Sequence, residues 1–196
     1  MPRPVEIDRD QALSKAMELF WIKGYEASSV QQLLDTMGMN SGSMYSAFGG
    51  KRALFVACIE LYASALNFMV EELLRKPDNP VGAISNFLKA TLIHTPKDIQ
   101  QRGCLIVNTI TEEANNDDEL VTLAARKQCI IIDALEDRIT EGQKTGLISN
   151  HESANNLANF LVNNIHGLRV TGRIPENDTS HVDSMIRIAL GVLDVK

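Results

Sequence analysis

The sequence predicts an all-α protein with three short helices near the N-terminus and a bundle of longer helices after them. Three observations carry this. Apolar residues recur at helical spacing along most of the 196 residues, beginning with Leu13, Ala16, Met17 and Phe20 at i, i+3, i+4 and i+7. Cap and stop signals fit three helices into about forty residues before residue 50. No alternating strand pattern competes, because the short apolar clusters at 105–107 and 129–132 each sit inside a longer helical pattern.

The elements follow in order. A first amphipathic helix spans 9–23 and is ended by Gly24. Ser28 and Ser29, each followed three residues later by a glutamine, form a capping-box pattern that opens a second helix running to about 37, where Gly38 takes a left-handed conformation. Asn40 or Ser41 caps a third helix through Phe48, and Gly49-Gly50 stops it. A long helix over 51–75 carries Leu54, Cys58, Leu61, Ala65 and Met69 on one stripe, with Phe55, Tyr62, Leu66 and Leu73 beside it. The Pro-rich segment 76–80 breaks the chain. Further helices are expected at 81–94, 104–114, 117–144, 153–171 and 181–195, separated by Pro96, Asn115-Asn116, Gly146 and Pro175. This organisation divides the chain into residues 1–50 and 51–196.

Composition bounds the function. With 44% apolar residues, 22% charged residues and a net charge of −6, a chain of this length buries a substantial core without disulfides or metal. The longest uninterrupted apolar run, 53–59, falls far below the roughly 18 residues of a membrane span, so no membrane partner is expected. The N-terminus lacks the apolar core of a secretory leader, and a cytoplasmic location is expected. Cys58, Cys104 and Cys129 are odd in number and widely spaced, which fits reduced thiols, with Cys58 and Cys129 in the core. The histidines at 94, 151, 166 and 181 show no ligand spacing, and neither metal nor cofactor is expected. Glu112-Glu113 and Asp117-Asp118-Glu119 read as a solvated helix junction, with the aspartates suited to a first turn.

The net negative charge argues against a polyanionic partner until its distribution is read. Residues 1–52 hold six basic and six acidic side chains, so the excess lies wholly in the remainder. Between Asp35 and Glu60 there is no acidic residue, and Lys51 and Arg52 are the only charges. That window can approach phosphate.

The last helix is apolar over more of its circumference than one core uses. Val182, Met185, Ile186, Ala189, Leu190 and Leu193 form one face, widened by Ile188, Val192 and Val195. The preceding helix has similar breadth. A C2 dimer built from the two is expected, with Leu157, Phe160, Leu161, Ile165, Leu168, Met185, Ile188, Ala189 and Val192 at its interface. A wholly intramolecular core is the alternative.

Residues 28–48 read as helix, tight turn, helix, a layout that places its second helix in a DNA major groove. Leu19-Phe20-x-x-Lys23-Gly24-Tyr25 closes the first helix, Ser28-Ser29-Val30 opens the second, and 38–48 reads GMNSGSMYSAF with Lys51 following. In these residues, over 9–55, the chain resembles the tetracycline-repressor (TetR) family of bacterial transcriptional regulators. The resemblance implies an N-terminal helix-turn-helix DNA-binding domain and a C-terminal helical ligand-binding and dimerisation bundle. It further implies a homodimeric repressor released from a palindromic double-stranded DNA operator by a small apolar or electrophilic effector. Carried over by position, Asn40, Ser41, Gly42 and Ser43 match the start of the recognition helix, Tyr45 a backbone-contacting aromatic, and Lys51 the lysine opening the fourth helix. The chemistry fits: Asn40 and Ser43 are short donors and acceptors, Gly42 permits close approach, and at Lys51 charge and helix dipole point at one phosphate. Ser28 and Ser29 are read either as phosphate donors or as caps alone.

The sequence departs from the family where basic or bulky polar residues often stand at Ser41 and His or Tyr at Ser46 or Ala47, which predicts a shallow salt dependence. Arg3, between Pro2 and Pro4, is either a minor-groove arm or a terminal tail. Phe48, Val30, Leu33 and Leu34 are expected to form the small core. Cys104, after Arg102 and Gly103 at a helix start, is either an electrophile-sensing thiol or a buried apolar residue. No nucleophile with a placed base and no catalytic residue is expected; the rival reading is a helical-bundle carrier or enzyme whose helix-turn-helix is structural. The acid-free window separates the two, since a surface that never meets DNA has no reason to exclude Asp and Glu.

Overall fold

A computed structural model describes residues 8–174 and 181–194; Arg3 with Pro2 and Pro4, Pro175 and Val195 lie outside them. The described residues form ten α-helices and no strand: α1 Arg9–Lys23, α2 Val30–Met37, α3 Ser41–Phe48, α4 Lys51–Val70, α5 Pro80–Leu92, α6 Lys97–Arg102, α7 Leu105–Glu113, α8 Asp118–Lys144, α9 Ala154–Thr171 and α10 Val182–Gly191. A π-helical turn, Glu71–Arg75, continues α4. Observed ends differ from the expected ones mostly by one or two residues, as helix ends do. α6 was not expected. Pro96 is its N-cap, with Asp98 in its first turn and Arg102 in its last, so the proline that breaks the chain also starts a helix.

The helices sort into two compact units: residues up to Ala65 with Leu105–Ala124, and Leu66–Cys104 with the chain from Ala125 onward. The first unit therefore extends past residue 50. The reason is packing. Leu54, Phe55, Cys58 and Ile59 of α4 are fully buried, as are Ala12, Ala16 and Phe20 of α1. The Phe20 ring meets Phe55 edge-on at 4.8 Å, and the Tyr25 ring lies 4.8 Å from Phe55 and 6.1 Å from Phe20. Trp21, for which the sequence offers no role, stacks edge-on against Tyr62 at 5.1 Å. Burial of the Cys58 thiol beneath α1 pushes its pKa up to about 12.

α2 and α3 are capped as their sequences require. The Ser29 hydroxyl accepts the Gln32 N–H at 3.2 Å while the Gln32 side chain accepts the Ser29 N–H at 3.2 Å, completing the capping box. Asn40 caps α3 by accepting the Ser43 N–H at 2.8 Å. Leu33, Leu34, Met37, Met44 and Phe48 turn inward, whereas Val30 is only half-buried.

By length and composition the helix Lys51–Arg75 is apolar enough to cross a membrane, which the uninterrupted-run criterion did not reveal because isolated polar residues divide it. In this fold Leu54, Phe55, Cys58, Ile59, Val70 and Leu74 are core, each at most 1% exposed, while Phe68 is 67% exposed.

In the second unit α5 packs against the π turn, α9 and α10. Ile84, Phe87 and Leu88 of α5 share the core with Ala158, Leu161 and Ile165 of α9 and Ile186 of α10. Arg138 donates to the Pro77 carbonyl at 3.1 Å, and the Ser149 N–H donates to the Leu193 carbonyl at 3.1 Å.

Two expectations change here. Leu157, Leu161, Ile165 and Ala189, expected at a subunit interface, are buried in the chain's own core. Phe160, Met185 and Ile188 stay exposed, and Leu168 and Val192 are half-buried. Helical periodicity shows that α9 and α10 are apolar over a broad arc; it does not show which part of that arc faces inward. Cys129, expected in the core, is exposed on α8 with its thiol directed to the Ala125 carbonyl at 3.5 Å.

Candidate nucleic-acid interface

An eight-residue helix that buries Met44 and Phe48 must present its other side chains outward. On α3 these are Ser41, Gly42, Tyr45 and Ser46, with Ser43 half-buried and Asn40 exposed at the cap. The face is polar, uncharged and small. Gly42 meets no internal demand for glycine, because an added Cβ would find nothing closer than the Asn40 Oδ1 at 3.5 Å. A missing side chain there matters only to something approaching from outside. Tyr45 is 52% exposed, and its ring edge runs along Gly50, where an added Cβ would lie 3.3 Å from it. The phenol therefore has a fixed direction away from the helix.

The two serines before α2 separate. Ser29 is exposed, and although its oxygen accepts the Gln32 N–H, its own hydroxyl hydrogen remains to be donated. Ser28 is fully buried and donates to the Gly24 carbonyl at 2.7 Å. Its expected contact with DNA is corrected to a structural bond inside the turn.

The charge picture also changes in three dimensions. Arg52 is clamped by Asp117 at 2.8 Å and Glu119 at 2.8 Å, which holds the Asp117 carboxyl down at about 2 and the guanidinium well above its ordinary range. Asp117 also caps α8, accepting the Leu120 N–H at 3.0 Å. The stretch free of acid in sequence is thus not free of acid in space, and Arg52 is neutralised. Among the described residues Lys51, at the head of α4, makes no ion pair of this kind; its ammonium lies 4.4 Å above the Tyr25 ring and 3.5 Å from the Glu26 carbonyl.

The second unit contains a narrow cavity of about 20 Å³ between α5, α6, α9 and the start of α10. Thr91, Leu92, Gln100, Leu168 and Arg169 are among its walls. Helical threonines elsewhere return their hydroxyl to a carbonyl one turn back, as Thr109 does at 2.8 Å and Thr145 at 3.0 Å. The Thr91 hydroxyl is buried and makes no hydrogen bond. The sequence carried no signal for this wall, since its residues come from four separate segments. Cys104, at the head of α7, is buried.

Comparison with known proteins places these features in a lineage. The family model for bacterial regulatory proteins, tetR family, matches residues 12–58. The chain is 30% identical over 173 residues to the HTH-type transcriptional repressor ComR of Escherichia coli K12, covering 87% of this chain and 82% of that protein. It is 26% identical to the HTH-type transcriptional regulator YezE of Bacillus subtilis 168 over 99% of this chain and 100% of that one. Among solved structures, a cysteine mutant of the TetR family regulator CifR, complexed with 26 bp double-strand operator DNA, superposes with a TM-score of 0.84 at 24% identity, covering 97% of this chain and 99% of that one.

One carboxylate beside this surface carries a pH signature. Glu113 is 1% exposed and one of its oxygens has no hydrogen-bond partner. Burial first, then the neighbouring Glu112, Glu26 and Asp117, raise its pKa, with Lys51 opposing them. A carboxyl whose folded pKa is raised favours the folded state below its unfolded pKa and loses that advantage as pH rises through the folded value. Glu113→Gln is therefore expected to raise the thermal midpoint at neutral pH, with the gain shrinking to nothing on acidification below the ordinary glutamate range. Thermal melts of both chains across that interval check it.

Proposed function

The chain belongs to the tetR family of bacterial regulatory proteins, and from that premise we propose that it is a homodimeric repressor whose paired α3 helices read a palindromic operator and release it on binding a small effector. It is a DNA-binding transcriptional regulator, and the rival reading as a helical carrier or enzyme is not favoured. The observation that carries the proposal is the outward face of α3. Asn40, Ser41, Gly42, Ser43 and Ser46 offer short polar groups and an open backbone to base edges, while Tyr45, Ser29 and Lys51 supply phosphate contacts around them. Residues 28–51 hold the reading surface, and the second unit holds the effector and the partner subunit. Its place of work is the cytoplasm, where operator DNA is.

Dimerisation is supported by what the second unit leaves uncovered. Phe160, Leu168 and Met185 border an open groove, and Ile188 on the same helix as Met185 is 59% exposed. A second copy related by a two-fold axis would cover this groove, and a dimer that reads a palindrome holds its two recognition helices about 34 Å apart, one turn of duplex. The effector is assigned to the cavity beside Thr91, which must widen to admit anything larger than roughly one water. Buried as it is, Cys104 supports a packing role in preference to an electrophile-sensing one.

Five measurements test this reading. Duplexes selected from random sequence by the full chain should converge on a palindrome. Tyr45→Phe and Lys51→Ala should each weaken binding about equally on selected and random duplexes, with the salt slope falling by about 1 for the lysine change; unchanged affinity for both removes the phosphate contacts. Ile188→Asp should convert the dimer to monomer in sedimentation, and a dimer that persists moves the interface elsewhere. Thr91→Val should stabilise the fold by about 1 kcal/mol in urea titrations, because it removes a buried hydroxyl without a partner. The same variant should release operator less readily in an effector screen.

A further inference from the structure

Glu112 reaches from α7 to the turn that joins α1 to α2. Its Oε2 accepts the Tyr25 N–H at 3.0 Å and its Oε1 accepts the Glu26 N–H at 2.8 Å. Both amides lie beyond the end of α1 and before α2, where no helix supplies them a partner. The fit around this carboxylate is close. Gly24 has φ +87°, which disfavours a side chain, and an added Cβ would stand 2.6 Å from one carboxylate oxygen and 2.8 Å from the other, so a side chain there would push Glu112 away from its two amides. The turn so held carries three parts of the reading surface. It leads into Ser29, the cap of α2; it accepts the buried Ser28 hydroxyl at the Gly24 carbonyl; and through the Glu26 carbonyl and the Tyr25 ring it places the Lys51 ammonium.

We infer that Glu112 is a positioning residue for DNA reading: its carboxylate pins the 24–26 turn by two charge-assisted hydrogen bonds and thereby fixes the N-terminus of α2 and Lys51 where phosphates are to be met. The inference rests on the reading of α2 and α3 as the DNA-reading helices. Charge makes it testable by sign. A carboxylate beside a phosphate-facing surface repels DNA, so if Glu112 acted through its charge alone, removing that charge would strengthen binding to every duplex. Positioning predicts the reverse, a loss on selected and unselected duplexes alike, because the contacts it places are to phosphates.

The experiment uses the full chain, Glu112→Gln and Glu112→Ala, with a duplex selected from random sequence by the unsubstituted chain and an unselected duplex of the same length. Fluorescence anisotropy gives both affinities, and hydrogen exchange follows the Tyr25 and Glu26 amides. The expected result is an about ten-fold loss on both duplexes, the scale of one charge-assisted hydrogen bond, with protection of both amides lost in Glu112→Ala and of at least one in Glu112→Gln, whose amide oxygen still accepts. A gain or no change in affinity, or both amides still protected, overturns it. If Glu112→Ala fails to melt cooperatively, Glu112→Gln, which keeps the side chain's size, decides alone. Failure of the DNA reading itself shows differently, as a chain that selects no duplex at all.

Discussion

A helix of eight residues does not persist by itself in water, because too few hydrogen bonds offset the cost of nucleation. α2 and α3 are both of this length, and the rest of the reading surface depends on how they are held. Leu33, Leu34, Met37, Met44 and Phe48 bury one side of the pair, and the Ser29 and Asn40 caps satisfy amides at the two exposed starts. Arg9 adds a cation above the Phe48 ring at 4.8 Å. Because the anchoring residues all point inward, what remains outside is fixed: small hydroxyls, a glycine backbone and one oriented phenol.

As a proposed DNA-reading surface, this face has little charge of its own. Arg52 is held by Asp117 and Glu119, and Lys51 remains against Tyr25 and the Glu26 carbonyl. Binding of this kind relies on helix N-termini and hydroxyl donors as much as on cations, and a site so built depends on exact placement more than on total charge. Glu112, Glu26 and Asp117 act on Glu113 in the same corner, with Lys51 opposing them. Three of these acids have a task or are buried: Asp117 caps α8 and clamps Arg52, Glu112 satisfies two turn amides, and Glu113 is out of contact with solvent.

The second unit follows a different logic. α9 and α10 each bury one side in the chain's own core and leave Phe160, Met185 and Ile188 exposed on another. Apolar area left outside a core is what a second copy would cover. Inside, the Thr91 hydroxyl without a partner marks the one helical threonine among those described above that does not return its proton to its own backbone.

The sequence by itself determined what is local. Caps at Ser29 and Asn40, the stops at Gly24 and Gly49, the inward set of α2 and the outward set of α3 all follow from contacts within about four residues, which periodicity and cap chemistry report directly. The α1 boundaries come out to the residue for the same reason. Only the tertiary structure decided what lies between distant segments: that Arg52 is paired across 65 residues to Asp117, that Glu112 holds Tyr25 across 87, that Ser28 faces inward while Ser29 faces out, that Cys129 is exposed, and which sides of α9 and α10 are core. A helical repeat states that a face is apolar or charged, but the partner of that face is set by how the chain returns on itself, and nothing in a run of neighbouring residues encodes it.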